Sequence, residues 1–216
     1  MNVKDLFIAA LLFCNIALFG QDLPSREIIS PSNFLTYLNG DNNIKGSTFL
    51  YEDWSSKIVV FGTDNTTYRY SNANYNLKER KFFVKLKNDS IYEINIKSLK
   101  YVVLNNKKFE FLNGDYVERV AKGKLNVFKQ HELSIKEGMI DGTTKEKMTP
   151  DKYVVKSNFC VLKDGKLVPF KLKKKTVLSL LELSNKKEFT SEIKRRKLSF
   201  SNEEDLVKIL EYYNSL

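Results

Sequence analysis

The sequence predicts an α+β protein, mostly β: an antiparallel β-meander, as a curved sheet or a partly open barrel, followed by two to three short C-terminal helices. Three observations carry this. From Ser47 onward, apolar and aromatic runs are separated by turn residues about every ten positions, the spacing of consecutive antiparallel strands. Within the runs apolar residues recur at every second position, as strands with one buried face require. After Leu172 the period becomes helical.

Phe82, Val84 and Leu86 share one face of a strand, Tyr92, Ile94 and Ile96 share a face of the next, and Phe109 and Phe111 follow. The turns between strands fall at Thr63-Asp64-Asn65-Thr66, Lys87-Asn88-Asp89-Ser90, Asn105-Asn106, Asn113-Gly114 and Asp164-Gly165, rich in residues that tolerate positive φ. The last joins Tyr153–Leu162 to Lys166–Leu172, and Pro169, lacking an amide hydrogen, makes the second of these an edge strand. Glu137 to Asp151, with Gly138, Gly142, Thr143, Thr144 and Pro150, is too polar for the core and reads as a mobile surface loop.

Val177, Leu180 and Leu181 lie on one face of a short helix that ends at Leu183. Asn185 followed by Glu188 forms a capping box, after which Phe189 and Ile193 make an i, i+4 pair. Ser201-Asn202-Glu203-Glu204 repeats that device before the last helix. There Glu203, Glu204 and Asp205 sit where the dipole favours negative charge, and Leu206, Ile209, Leu210 and Tyr213 form a stripe that must cover something, most simply a face of the sheet.

Four segments follow: residues 1–20 a signal peptide, 21–46 a polar lead-in, 47–172 the antiparallel β domain, 173–216 a helical tail packed on the sheet. Lys4, the apolar run from Leu6 to Phe19 and the small Gly20 supply the parts of a secretory signal, and the run is too short for a comfortable bilayer anchor. Cys14 follows Leu12 and Phe13, where an acylated lipoprotein cysteine needs small residues. The lead-in reads as a loop or tether with one helical turn around Phe34 to Leu38. The expected address is the periplasm or envelope of a Gram-negative-type bacterium, with no transmembrane segment after signal removal. Cys160 is then the sole cysteine, so no internal disulfide forms.

The net charge of +10 is uneven, for residues 163 to 197 carry 12 basic and 4 acidic residues, net +8. Lys171, Lys173, Lys174 and Lys175 make one group and Lys194, Arg195, Arg196 and Lys197 another. Both lie at helix ends, where cations also complement a C-terminal dipole, and they form one patch only if the two helices fold back on each other. A basic patch attracts polyanions; for an exported chain these are acidic proteins and anionic envelope components rather than nucleic acid, and the plain alternative is a solubilising lysine face. A second candidate surface is an aromatic platform of Tyr51, Trp54, Tyr68, Tyr70 and Tyr75, against which stands the high strand propensity of tyrosine.

Catalytic motifs are thin. The single histidine, His131, shares a strand face with Leu133 and Ile135, and Cys160 sits in the apolar run Asn158 to Leu162, so each reads as structural, with a distant Cys160–His131 nucleophile pair as the functional alternative. One histidine and one cysteine make no paired metal site. Glu52 and Asp53 beside Tyr51 and Trp54 lack a matched second carboxylate for glycoside chemistry, and neither a nucleophile elbow nor a phosphate-binding glycine loop is present. No cofactor is expected.

The layout resembles a set of exported proteins of unknown function associated with Bacteroidota-type bacteria. The matching features are Leu18-Phe19-Gly20-Gln21, the entry Gly46-Ser47-Thr48-Phe49-Leu50-Tyr51-Glu52, and the tail from Lys197 to Asn214, KLSFSNEEDLVKILEYYN. The resemblance implies localisation and no catalytic residues. The expectation is therefore a non-enzymatic envelope protein, a scaffold binding a protein or anionic envelope component through its basic end or aromatic strands. Its alternatives are a periplasmic carrier whose curved sheet, lined by Phe82, Val84, Ile94 and Phe109, encloses an apolar ligand such as a lipid, and a hydrolase of unrecognised type. The hydrolase would require polar side chains from several strands to converge.

Overall fold

A computed structural model describes residues 29–31, 44–94 and 99–216; the expected signal peptide, the helical turn around Phe34 to Leu38 and Ile96 lie outside these. The chain forms β1 (Ile29–Pro31), β2 (Ile44–Lys45), β3 (Ser56–Gly62), β4 (Thr67–Asn76), β5 (Lys81–Lys85), β6 (Ile91–Ile94), β7 (Leu99–Leu104), β8 (Lys107–Leu112), β9 (Asp115–Ala121), β10 (Val127–Lys136), β11 (Asp151–Lys163) and β12 (Lys166–Phe170). Among the described residues, helices α1 (Lys174–Leu180), α2 (Lys186–Arg195) and α3 (Glu203–Ser215) follow. The strands make one curled open sheet, a half-barrel, in the order β1-β6-β5-β4-β3-β7-β8-β9-β10-β11-β12. Only β2 departs from the antiparallel pattern, pairing in parallel with the start of β11. The lead-in thus supplies two short strands to the sheet, where a tether was expected, because Ile29–Pro31 finds the open edge of β6 and Ile44–Lys45 that of β11.

Turn chemistry sets the register. Asn105 and Asn106, Asn113 and Gly114, and Asp164 and Gly165 all adopt positive φ, the paired left-handed conformation whose twist suits a two-residue hairpin. In such a hairpin the closing pair, Lys163 and Lys166, exchange hydrogen bonds, so Val161 and Phe159 also turn their amides toward β12 while Leu162 turns away. The Leu162 amide accordingly donates to Asn126 O. The same alternation points the Pro169 nitrogen outward from the sheet, where its missing hydrogen costs nothing, and β12 is an edge strand. That edge is partly covered: with its amide oriented to satisfy both contacts, Asn113 donates to Gly165 O at 3.0 Å and accepts from Leu167 N at 3.2 Å.

Residues directly opposite one another share a face. One row across the sheet reads Tyr68, Val60, Val102, Phe109, Glu118, Lys129, Phe159, Phe170. Its first half belongs to an aromatic cluster in which Tyr75 packs on Phe82 and Phe82 on Phe109, at ring separations of 4.8 and 5.9 Å. Its last two residues pack against the helices, where Val127 and Val161 meet Val177, Phe189, Ile193 and the α3 stripe. Phe111 faces the same way as Phe109 yet is 56% exposed, since it stands at the rim beside Tyr116.

The helices follow their caps with one shift. Asn185 caps α2 by accepting from Glu188 N, whereas α3 is capped by Asn202, one residue later than the capping-box pattern suggests, through Asp205 N at 3.0 Å. The Asp205 carboxylate accepts instead from Ser199 N. The segment from Glu137 to Asp151 is exposed but is hydrogen-bonded into a small hairpin tip: Ile140 bridges Lys147, and the Asp141 carboxylate accepts from Thr143 and Thr144.

Candidate functional site

All eight basic residues singled out in the sequence are exposed. Lys173, Lys174 and Lys175 open α1, not its C-terminus, and its first turn has no acidic residue, so three cations stand where the helix dipole disfavours them. Lys194 and Arg195 close α2 in the favourable sense. The helices do fold back. Lys174 and Lys194 line one groove of about 390 Å³, with Thr190, Ser199 and Ser201 beside them and Ile193, Leu198 and Phe200 as its apolar floor.

A local motif builds that floor. Lys197 adopts a left-handed conformation (φ 57°), Leu198 N donates to Ile193 O and Lys197 N to Lys194 O, which is the Schellman termination of α2. Its characteristic apolar contact sets Leu198 against Ile193. Arg195 and Arg196 are engaged elsewhere: both bond the Glu192 carboxylate, at 2.7 and 2.6 Å, and hold it at about 2, far below the usual carboxylate range. Arg196 also covers the Tyr212 ring. The lysines are thus the groove's cations.

The aromatic residues do not form an exposed platform. Tyr75 is a core residue whose hydroxyl donates to Asp115 at 2.7 Å, and Tyr68 is buried in the same cluster, because both face inward along β4. Trp54 packs edge-on against Phe49, and Tyr70 and Tyr51 are half-buried against the core. Asp53 accepts from the amide and hydroxyl of Ser55, a turn role, and Glu52 is exposed. Phe82, Val84, Ile94 and Phe109, the lining expected of a carrier, are all buried in the aromatic cluster.

A polar seam between the aromatic and helix-packed clusters was not anticipated. Lys107 on β8 lies 3.2 Å from the Glu118 carboxylate on β9, Glu118 Oε2 is 2.9 Å from His131 Nε2 on β10, and His131 Nδ1 is 2.8 Å from Ser157 Oγ on β11. His131 is therefore joined to Ser157 and not to Cys160, which lies opposite Phe128 on the other face with its thiol pushed up by burial. Burial opposes ionisation of Glu118, but the His131 hydrogen bond and the Lys107 charge outweigh it and hold the carboxyl below its ordinary value. Tyr51 lies near Lys107 and Glu118, with its hydroxyl buried beside the Asn105 side chain, and burial raises its phenol. The signal in the sequence was the break in alternation: Glu118 and Lys129 occupy inward positions in the row from Tyr68 to Phe170, and Lys107, opposite Leu104, lies on the same face as Phe109.

Fold and site together define a half-barrel antiparallel sheet capped by a basic three-helix end, with polar side chains converging from four adjacent strands. Comparison with models of protein families, with curated proteins and with solved structures found no match. Among the described residues no helix is long and apolar enough to cross a membrane.

Proposed function

We propose that the protein is an exported envelope module that holds an anionic envelope component at its helical end. One observation carries the reading: Lys174 and Lys194, from two different helices, flank a single groove whose floor is apolar and whose walls offer three hydroxyls. Cations around an apolar floor suit an amphiphilic anion, whose charged group meets the lysines while its apolar part covers Ile193, Leu198 and Phe200. Lysines crowded at the α1 N-terminus do not serve helix stability, which favours a binding role for them. The carrier alternative draws no comparable support, since its expected lining residues pack on one another.

The test is retention on vesicles of anionic phospholipid against zwitterionic ones. Lys174→Gln with Lys194→Gln should weaken retention on the anionic vesicles while the melting temperature holds, and added salt should mimic the loss because exposed charges are screened beyond about 8 Å. Equal retention by the doubly substituted protein overturns the reading. Export itself is tested by N-terminal sequencing of protein recovered from its own cells, which should begin at or near Gln21.

A further inference from the structure

Ser157, the last member of the polar seam, faces solvent, while His131 and Glu118 behind it are only 7% and 5% exposed. An ionised carboxylate can only accept hydrogen bonds, so Glu118 places the imidazole hydrogen on Nε2 and leaves the Nδ1 lone pair toward the Ser157 hydroxyl. Three groups in this order are the parts of an activated serine: nucleophile, base and a group that orients the base. We infer that Ser157 is a nucleophile that takes the acyl group of a carboxylic ester, with His131 as its general base and Glu118 as the positioning residue.

The backbone supplies a further part. The alternation that turns Val161 and Phe159 toward β12 turns the Ser157 amide the same way, but β12 pairs no further than Phe170 opposite Phe159. The Ser157 N–H therefore has no β12 residue opposite it and lies beside its own Oγ, where it can donate to the oxyanion of a tetrahedral intermediate. In the reaction Oγ bonds to the carbonyl carbon as its proton passes to Nδ1. The bond from that carbon to the alkoxy oxygen then breaks, and the alkoxide leaves with the proton. Water repeats the sequence with His131 as base, releasing the acid and restoring the serine.

The neighbouring surface names the substrate class. Leu133, Ile135 and Val155 share the face of His131 and Ser157, and Ile135 and Val155 are 52% and 39% exposed. An apolar strip runs away from the nucleophile along the β10–β11 ribbon, so esters with an apolar acyl chain should react best. Ser157 is exposed on the sheet surface, where solvent competes with any group that would assist departure, so the leaving group must be a good one.

The experiment uses the untagged full chain and a fluorophosphonate, which loses fluoride to the attacking Oγ. Peptide mass spectrometry should place the label on Ser157; Ser157→Ala should abolish it, and His131→Gln should slow it by about 100-fold or more. p-Nitrophenyl butyrate should turn over faster than p-nitrophenyl acetate. Because His131 is the only histidine, its ¹⁵N imidazole spectrum reads the tautomer directly: the Nε2–H form is expected, and Glu118→Gln should shift the balance away from it. An unlabelled Ser157, a label spread evenly over serines, or an Nδ1–H tautomer overturns the inference. If His131→Gln fails to fold, the tautomer and Ser157→Ala decide it.

Discussion

Lys129 Nζ on β10 lies 2.6 Å from Glu203 Oε2 at the first residue of α3, and this pair ties the start of α3 to the sheet. The far end is tied as well, for Asn214 accepts from Lys124 N and donates to Lys122 O in the turn between β9 and β10. Between these ties Leu206, Ile209, Leu210 and Tyr213 are buried. At about 1.5–3 kcal/mol for each large side chain removed from water, the stripe is a sizeable part of a domain's net stability. Deleting residues 198–216 should abolish cooperative unfolding, and Leu210→Ala should cost about 2–5 kcal/mol in urea denaturation. An unchanged melting curve for the deletion would make the tail a detachable helix.

Cys160 is 1% exposed on β11 and its thiol is pushed up by burial, so the reactive thiolate is scarce as well as covered. A thiol reagent such as DTNB should modify it only as fast as the protein opens, and at full rate in denaturant. Rapid modification of the folded protein would contradict the burial of Cys160 opposite Phe128.

How much of this was legible depended on the range of the interaction. Asn113-Gly114 and Asp164-Gly165 declared their hairpins because positive φ is a property of one or two residues, and Asn185 declared its cap for the same reason. The α3 stripe was legible from its 3.6-residue period. The polar seam was legible only as charges breaking an apolar alternation; that Lys107, Glu118, His131 and Ser157 meet across four strands is set by register, which the sequence does not state. The aromatic platform failed for the opposite reason. Tyr68 and Tyr75 are close in sequence, but the strand turns both into the core, and proximity along the chain said nothing of which face they take.

Lys197 occupies the left-handed position that ends α2, a conformation costing a side-chain-bearing residue about 1 kcal/mol. Lys197→Gly should therefore stabilise the protein by up to about 1 kcal/mol and leave vesicle retention close to that of the parent, because Lys174 and Lys194 remain. A destabilised Lys197→Gly protein would mean that the lysine side chain contributes more than its backbone conformation costs.

Glu110 gives a pH dependence with a fixed sign. The Arg119 guanidinium beside it, against the opposing effect of burial and with help from Lys108, lowers its carboxyl from 4.5 to about 2. A carboxyl depressed in the folded state stabilises fully above its ordinary value, and the contribution is lost as pH falls through the folded one. Both partners are largely covered, at 17% and 18% side-chain exposure, so the charge-assisted pair should be worth about 1.5–3 kcal/mol near neutrality. Glu110→Gln removes the charge while Arg119 keeps Asn126 and the Phe128 ring. Urea denaturation should show parent and variant separated by that amount above pH 4.5, with the gap closing as pH falls toward 2. A gap that stays constant across this range would show that the parent's advantage lies in packing and not in the ionised carboxylate.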